Sequence, residues 1–375
     1  MSFPLSVNFA LKLVVPVAFF GYAAAANMAL VLGPATALPQ HAGLGRHGMT
    51  QEIDTLYRES MPHRDLAIRL IGAARYLLLN EGRPGVAVGA GGVLFTDEEL
   101  RQPAAAGAAY AAALDEIVRS AEALRASGTE LIVVPVPAKL DLLAAQGPDP
   151  ALSEELHRFY DRFRADLTDR DIPAVDSRSA LAALAAPFLA TDTHWTPGGA
   201  RAVAVRIAAQ PGLTGSAQFT QVPGAEVRFT GDLVSYVTSG ELAPLVGLSA
   251  ERVIPYEAVS IPSGQEAALD LFGEAGAGEV VDLVGTSYSA NPNWSFAEAL
   301  KLELGRDVIN YATEGQGPFV PMRDYLQQRD PETAATTVLW EIPLRYLLDP
   351  DLPGTLAAEA GAEAQSLELA EEGGT

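Results

Sequence analysis

Residues 280–296 read VVDLVGTSYSANPNWSF. The mostly apolar run 280–284 predicts a buried strand, and Gly285 after it allows a sharp turn. The chain then passes through Thr286 and Ser287 into a loop rich in asparagine and proline, which a helical pattern follows. In open α/β folds, ligands bind at the carboxyl ends of the parallel strands. The stretch therefore predicts a strand of a parallel sheet with a serine at its functional edge, although ordinary strand-end turns show the same pattern.

Strands and helices alternate on both sides of this stretch. Residues 104–127 and 152–170 have helical spacing, and the run ELIVVPVP between them is typical of a buried strand. Downstream, DVINYAT and TTVLWEIP are predicted strands. We therefore predict an α/β fold with a parallel sheet covered by helices on both faces. Residues 215–265 differ, because short alternating runs separated by glycine and proline predict a β-rich insertion there.

The composition excludes several classes of function. The net charge is -22, from 47 acidic and 25 basic residues, and a nucleic-acid-binding protein needs a basic surface instead. The chain has no cysteine, so thiol chemistry, thiolate metal sites and disulfides are excluded.

Residues 1–40 contain a long uncharged segment after Lys12. A bilayer-spanning helix needs about 20 mostly apolar residues, so we predict a signal-anchor or transmembrane segment here. A cleaved signal peptide and a buried core helix are the alternatives. In both export interpretations the remainder of the protein lies outside the cytoplasm. The acidic, alanine-rich residues 349–375 predict a disordered or weakly helical tail after a single domain over 41–348.

A second stretch, TDTHWTPGGA at 191–200, supplies a candidate base for the serine and a carboxylate to orient that base. A serine hydroxyl is a poor nucleophile until a base takes its proton, and the usual base is an imidazole oriented by a carboxylate. Asp192 and His194 are two positions apart, so in an extended loop their side chains can form a hydrogen bond. Ser287 is the predicted nucleophile and Ser289 its rival. A metal site at Asp192 and His194 is the other interpretation, but the nearby sequence offers no further histidine.

Together, TDTHW with the following GG and GTSYS resemble the alginate O-acetyltransferase family of the AlgJ/AlgX type, a branch of the SGNH hydrolase superfamily. The resemblance extends through MPHRDLAIRL, GVAVGAGGVLFTDEEL, IVVPVPAKLDLL, GDL, VINYATEGQGP and VLWEIPLRYL, which occur in that order. It implies a three-layer SGNH-hydrolase-like sheet and a Ser287–His194–Asp192 triad. The histidine and aspartate precede the serine, the reverse of the superfamily's usual order.

The resemblance also implies a pocket for the reacting oxyanion. Gly315 or Gly317 is expected to donate an N–H to it, while the superfamily's usual GxND block is absent here. Tyr288 and Trp195 are candidates for contacting sugar rings, with packing as the alternative interpretation, as for Trp294. Arg345 or Glu341 is expected to line the site, with an ion pair as the alternative for Arg345. Lys139 is predicted to be a surface or capping cation.

The function implied by the resemblance is O-acetylation of an exported polysaccharide by an enzyme anchored in the inner membrane and facing the periplasm. A multi-spanning membrane acyltransferase is the implied acetyl donor, other polymer-secretion subunits are further partners, and no cofactor or metal is implied. An acetyl esterase of the same fold and a non-catalytic polysaccharide-binding subunit are the rival hypotheses.

Overall fold

The computed structural model describes residues 7–32, 64–261, 280–330 and 334–358. The chain divides into two compact units, Met1–Leu79 and Asn80–Thr375. In the first unit, helix α1 spans Val7–Leu32 and α2 spans Arg64–Leu79. Within the described ranges, no helix combines the length and the apolar character that crossing a membrane requires. The predicted anchor covers α1 and also residues 33–40, which lie outside the described residues.

The second unit is built around a four-stranded parallel sheet. Its strands, in the spatial order β3, β10, β8 and β9, are Glu130–Val136, Thr337–Pro343, Val280–Val284 and Asp307–Asn310. All three strand pairs are parallel, and β10 pairs with β3 along its whole length. Strands β3, β10 and β8 are buried along most of their length, which explains their nearly continuous apolar sequences, whereas β9 is a mostly exposed edge strand. On the outer side of β3, Ala174 adds one isolated parallel bridge to Val133.

Helices cover both faces of this sheet. Along β3 and β10, Val133 and Trp340 belong to one core cluster, whereas Val134 and Leu339 belong to the other. Successive side chains in a strand point to opposite faces, so the two clusters are the two sides of the sheet. The first cluster lies under helices α3 (Gly107–Ala126), α5 (Pro150–Thr168) and α10 (Phe319–Gln328). The second cluster lies under helices α7 (Pro197–Ala208) and α9 (Phe296–Leu304). The remaining helices are short: α4 (Lys139–Leu142), α6 (Ser177–Ala182) and α8 (Ser287–Ala290).

Three small antiparallel pairs flank this core. The first pair is the hairpin of β1, Val86–Val88, and β2, Leu94–Thr96. The segment predicted to be β-rich contributes two pairs, β4 with β7 and β5 with β6, formed by Phe219–Pro223, Tyr256–Ser260, Val227–Phe229 and Glu251–Val253. Residues 262–265 of that segment lie outside the described residues.

The carboxyl-terminal boundary of the domain was predicted too early. Residues 352–358 form a helix, and Leu352 and Leu356 are buried in the core cluster of α3 and α5. Of the two predicted states, disorder is therefore wrong for 349–358, and the helix at 352–358 belongs to the domain because its leucines contribute apolar surface to the core. Residues 359–375 lie outside the described residues.

Candidate active site

The serine turn begins where β8 ends. Gly285 follows the strand, and Thr286 caps the first turn of α8, which Ser287 opens. A Cβ atom at Gly285 would lie 2.6 Å from the Oε2 atom of Glu341 and 2.9 Å from its Cβ. The φ angle of Gly285 is not positive, so the requirement for glycine at 285 comes from Glu341 on the neighbouring strand and not from the turn conformation.

Glu341 supports the turn from β10, the strand next to β8. Its Oε2 atom accepts hydrogen bonds from Thr286 N (2.8 Å), Thr286 Oγ1 (3.0 Å) and Ser289 Oγ (3.1 Å). The Glu341 side chain is fully buried, and burial raises its pKa to about 6. Because the Ser289 hydroxyl is buried and donates to Glu341, it is held away from His194, which leaves Ser287 as the serine that meets the imidazole.

The loop at 183–196, which contains Asp192 and His194 and is called the Asp–His loop, connects α6 to α7. Phe188 and Trp195 form an antiparallel bridge, and Leu189 N donates to His194 O at 3.0 Å, so the loop closes into a tight turn. Thr196 then caps α7 by accepting from Gly199 N at 3.0 Å, and Pro197 is the first helical residue. Thr196 and Pro197 thus fix where the loop ends, two residues after the histidine.

The structure brings Ser287, His194 and Asp192 together. His194 Nε2 lies 2.7 Å from Ser287 Oγ, and His194 Nδ1 lies 2.6 Å from Asp192 Oδ1. Asp192 Oδ1 also accepts from His194 N at 3.0 Å, and its Oδ2 accepts from Asp232 N at 3.0 Å. Burial opposes ionisation of Asp192, but its hydrogen bonds and the charge of His194 hold the pKa of Asp192 below its ordinary value. The imidazole is therefore oriented by a carboxylate and directed at a hydroxyl.

Aromatic rings enclose the imidazole. The Trp294 ring stacks on His194 with centroids 5.1 Å apart and an interplanar angle of 21°, and the Tyr288 ring lies 4.8 Å away at 55°. Trp294 is buried, so of its two predicted roles the structure gives it packing. These contacts limit the rotation of the His194 ring.

Asp232 is a second carboxylate near His194. It accepts from Thr193 N (2.9 Å) and Thr193 Oγ1 (2.5 Å), and its Oδ2 lies 4.0 Å from His194 Nδ1. Partial burial and the neighbouring Asp192 raise the pKa of Asp232. Ligand atoms of Asp192, His194 and Asp232 lie within 4.8 Å of one another, so these are residues that a metal ion could use. Their oxygens already accept N–H and O–H groups, which a cation would have to displace.

Trp195 and Tyr288 were predicted to contact sugars, and the structure contradicts this. Trp195 is fully buried and donates from Nε1 to Tyr288 O at 3.0 Å. The Tyr288 ring is 1% exposed and its hydroxyl donates to Thr193 O at 2.6 Å. Neither ring has a face open to a sugar, and both instead connect the serine turn to the Asp–His loop.

Arg345 lies behind Tyr288 rather than on an open side of the site. It is buried, donates to Tyr288 Oη at 3.0 Å and forms an ion pair with Glu98 at 3.0 Å. Its predicted place in the substrate-binding lining is therefore wrong, and the ion-pair alternative describes it.

The loop that carries the two predicted oxyanion glycines passes beside the serine turn. Thr313 N donates to Gly285 O at 3.1 Å. Gly315 and Gly317 follow with positive φ angles of 76° and 67°, which glycine adopts without strain.

Lys139 and Asp232 are the residues whose place near the site the sequence did not reveal. The prediction of a surface cation at 139 is wrong, because Lys139 is 1% exposed and its Nζ donates to the main chain of Asp192 at 3.0 Å. The GDL stretch that contains Asp232 is part of the family resemblance, but the sequence predicted no role for Asp232 itself.

Residues 86–344 match the family model described as the SGNH hydrolase-like domain of acetyltransferase AlgX. The chain is 37% identical over 317 residues to the probable alginate O-acetylase AlgJ of Pseudomonas aeruginosa, covering 78% of each protein. It is 36% identical over 308 residues to the protein of that name from Azotobacter vinelandii, covering 78% of this chain and 77% of that protein. The structure is similar to the O-acetyltransferase domain of Pseudomonas putida AlgJ, with a TM-score of 0.60 and 31% identity over 71% of this chain and 93% of that one.

Proposed function

Because this chain belongs to the family of SGNH hydrolase-like acetyltransferase domains of the AlgX type, we propose that it transfers an acetyl group through an acyl-serine onto hydroxyl groups of an exported, alginate-like polysaccharide. The observation that carries the proposal is the continuous array of hydrogen bonds from Ser287 through His194 to Asp192. The printed name of these relatives, probable alginate O-acetylase, supplies the proposed substrate class.

In the first half-reaction, Ser287 Oγ attacks the carbonyl carbon of an acetyl donor. His194 Nε2 accepts the hydroxyl proton across the 2.7 Å hydrogen bond. The imidazolium that forms is stabilised by Asp192, whose carboxylate accepts from Nδ1. The bond to the leaving group then breaks, and His194 returns the proton to that group, which leaves an acetyl ester on Ser287.

In the second half-reaction, a sugar hydroxyl replaces the leaving group. His194 takes the proton of this hydroxyl, the sugar oxygen attacks the acetyl carbonyl, and the ester bond to Ser287 breaks as its oxygen regains the proton. Both halves pass through a tetrahedral oxyanion. We assign the first donor to Ser287 N–H, in the first turn of α8, and the second to Gly315 or Gly317; each such donor contributes about 3 kcal/mol in enzymes of this kind.

The setting of the reaction is part of the proposal. We place the domain outside the cytoplasm, held by the amino-terminal segment at the inner membrane, with the acetyl group supplied by a multi-spanning membrane acyltransferase. Other polymer-secretion subunits would deliver the polysaccharide. The resemblance of the sequence to the alginate O-acetyltransferase family supports this setting.

An acetyl-ester donor incubated with the protein and alginate oligosaccharides tests the proposal. Acetylated oligosaccharide, detected by mass spectrometry, is the expected product, whereas free acetate alone would identify an esterase. Ser287→Ala should abolish transfer, while Ser289→Ala, whose hydroxyl faces Glu341, should retain most of it. Polymer acetylation that survives Ser287→Ala in the cell would favour the non-catalytic subunit instead.

A further inference from the structure

Lys139 stands close to the proposed catalytic residues but donates to none of their side chains. We propose that Lys139 is a positioning residue, whose ammonium group fixes the main chain of the Asp192–His194 loop so that Asp192 can orient the imidazole. The inference deepens the proposed function and rests on it.

All three hydrogen-bond donors of the Lys139 ammonium are used. Nζ donates to Leu94 O at 2.6 Å, Ala190 O at 3.0 Å and Asp192 O at 3.0 Å. An ammonium group has three donors and no acceptor, so this arrangement satisfies it completely. Every acceptor is a main-chain carbonyl, and two of the three belong to the Asp–His loop.

The same carbonyls connect the loop to the rest of the domain. Leu94 N donates to Ala190 O at 2.8 Å, so β2 is attached to the loop both directly and through Lys139. Asp192 is then held at two points: its main-chain carbonyl by Lys139 and its carboxylate by His194 and by Asp232 N. Loss of the Lys139 hydrogen bond frees the Asp192 main chain, and with it the carboxylate that orients His194. A displacement of about 1 Å is enough to weaken catalysis strongly.

Burying the charged ammonium group of Lys139 costs free energy. This cost indicates that the charge has a role at this position, which a neutral side chain would not fill. Burial lowers the pKa of Lys139 to about 8. The charged groups that face it and favour the ammonium form are Glu99, Glu251, Asp192 and Asp232. The Phe95 ring adds a cation–π contact, with its centroid 5.4 Å from Nζ.

These facts predict opposite effects of pH on stability and on activity. Since folding lowers the pKa of Lys139, the unfolded chain binds the proton more tightly. The contribution of Lys139 to the free energy of unfolding therefore rises with pH above about 8. The deprotonated amine has one donor fewer, so the loop loses a hydrogen bond over the same range and activity should fall. If Lys139 contributed only to stability, activity would not fall over a pH range in which the free energy of unfolding rises.

The first test compares Lys139→Met with a control, Lys301→Met, which replaces a partly buried lysine that pairs with Glu298 and Asp307. Well below both melting temperatures, Lys139→Met should reduce kcat by about a hundredfold with little change in the KM of the acetyl donor, and Lys301→Met should match wild type. A folded Lys139→Met that keeps the wild-type kcat would overturn the inference. If wild type itself forms no acetyl-serine, the proposed function fails instead.

The second test uses the absence of cysteine. Lys139→Cys introduces a single thiol, which bromoethylamine converts, under denaturing conditions before refolding, into a lysine analogue with a more acidic ammonium. Alkylation should restore kcat, and the alkaline limb of the kcat profile should lie at lower pH than in wild type, while the melting temperature does not fall over that limb. An alkaline limb at the wild-type pH, or one that follows the melting temperature, would show that Lys139 does not position the loop.

Discussion

Replacing Asp192 by asparagine removes the charge behind His194 while keeping the size of the side chain. Asp192 Oδ1 accepts from His194 N and Nδ1, and Oδ2 accepts from Asp232 N. In one orientation, the asparagine amide group would point its NH₂ at the Asp232 N–H. In the other it would point NH₂ at His194 Nδ1 and force the proton onto Nε2, where it opposes the Ser287 hydroxyl. Neither orientation preserves the array.

The magnitude follows from the charge that is lost. A carboxylate and an imidazolium about 4 Å apart at an effective dielectric constant of about 20 attract by about 4 kcal/mol. At about 1.4 kcal/mol per factor of ten, the rate should fall by about a thousandfold, and the wrong tautomer adds to this loss. The effect should appear in kcat, because the imidazolium exists only after proton transfer.

Release of p-nitrophenol from p-nitrophenyl acetate, measured under single-turnover conditions, reports acylation directly. Asp161→Asn is the matched control, since Asp161 pairs with His157 at 3.5 Å on the exposed side of α5. That control should act like wild type. If Asp192→Asn keeps more than about a tenth of the wild-type acylation rate, the carboxylate does not orient His194 and the reasoning is refuted.

Three further substitutions test the support of the site. Glu341→Gln presents an NH₂ group to donors on the Thr286 turn, so kcat should fall. Burial raises the pKa of Glu341 to about 6, so ionising Glu341 costs the wild-type protein stability. The melting temperature of the variant relative to wild type should therefore rise as pH increases through 6. Gly285→Ala drives a Cβ into Glu341 and should lower the free energy of unfolding by about 1–3 kcal/mol in denaturant titrations. Asp232→Asn should reduce kcat/KM by less than about tenfold, because Asp232 stays 4.0 Å from His194 Nδ1; a loss equal to that of Asp192→Asn would contradict the roles assigned here.

The sequence was informative where a few neighbouring residues decide the structure. The apolar runs at 130–136, 280–284 and 337–343 predicted strands, and all three are parallel strands of one sheet. The Asp-x-His spacing and the serine after a strand predicted side chains that the fold brings into contact across 93 positions. The predicted SGNH-type family is confirmed by the matches to AlgX and AlgJ proteins.

The sequence failed where burial depends on distant segments. Lys139 appeared to be a surface cation because its carbonyl partners belong to Leu94 and to the loop at 190–192, and main-chain acceptors leave no pattern in side chains. Trp195 appeared available to sugars because its loop is polar, but its indole packs inward and donates to Tyr288 O. Glu341, by contrast, left a readable signal, since an acid within an apolar strand needs buried donors.

The most direct test identifies the atom that carries the acetyl group. The protein is incubated with an acetyl-ester donor, quenched in acid before deacylation, digested and sequenced by tandem mass spectrometry. The account predicts one acetyl group on Ser287, none on Ser289, and its transfer to oligosaccharide when the acceptor is added before the quench. An acetyl group on Ser289 or on another residue, or active enzyme that never carries an acetyl group on Ser287, would contradict it.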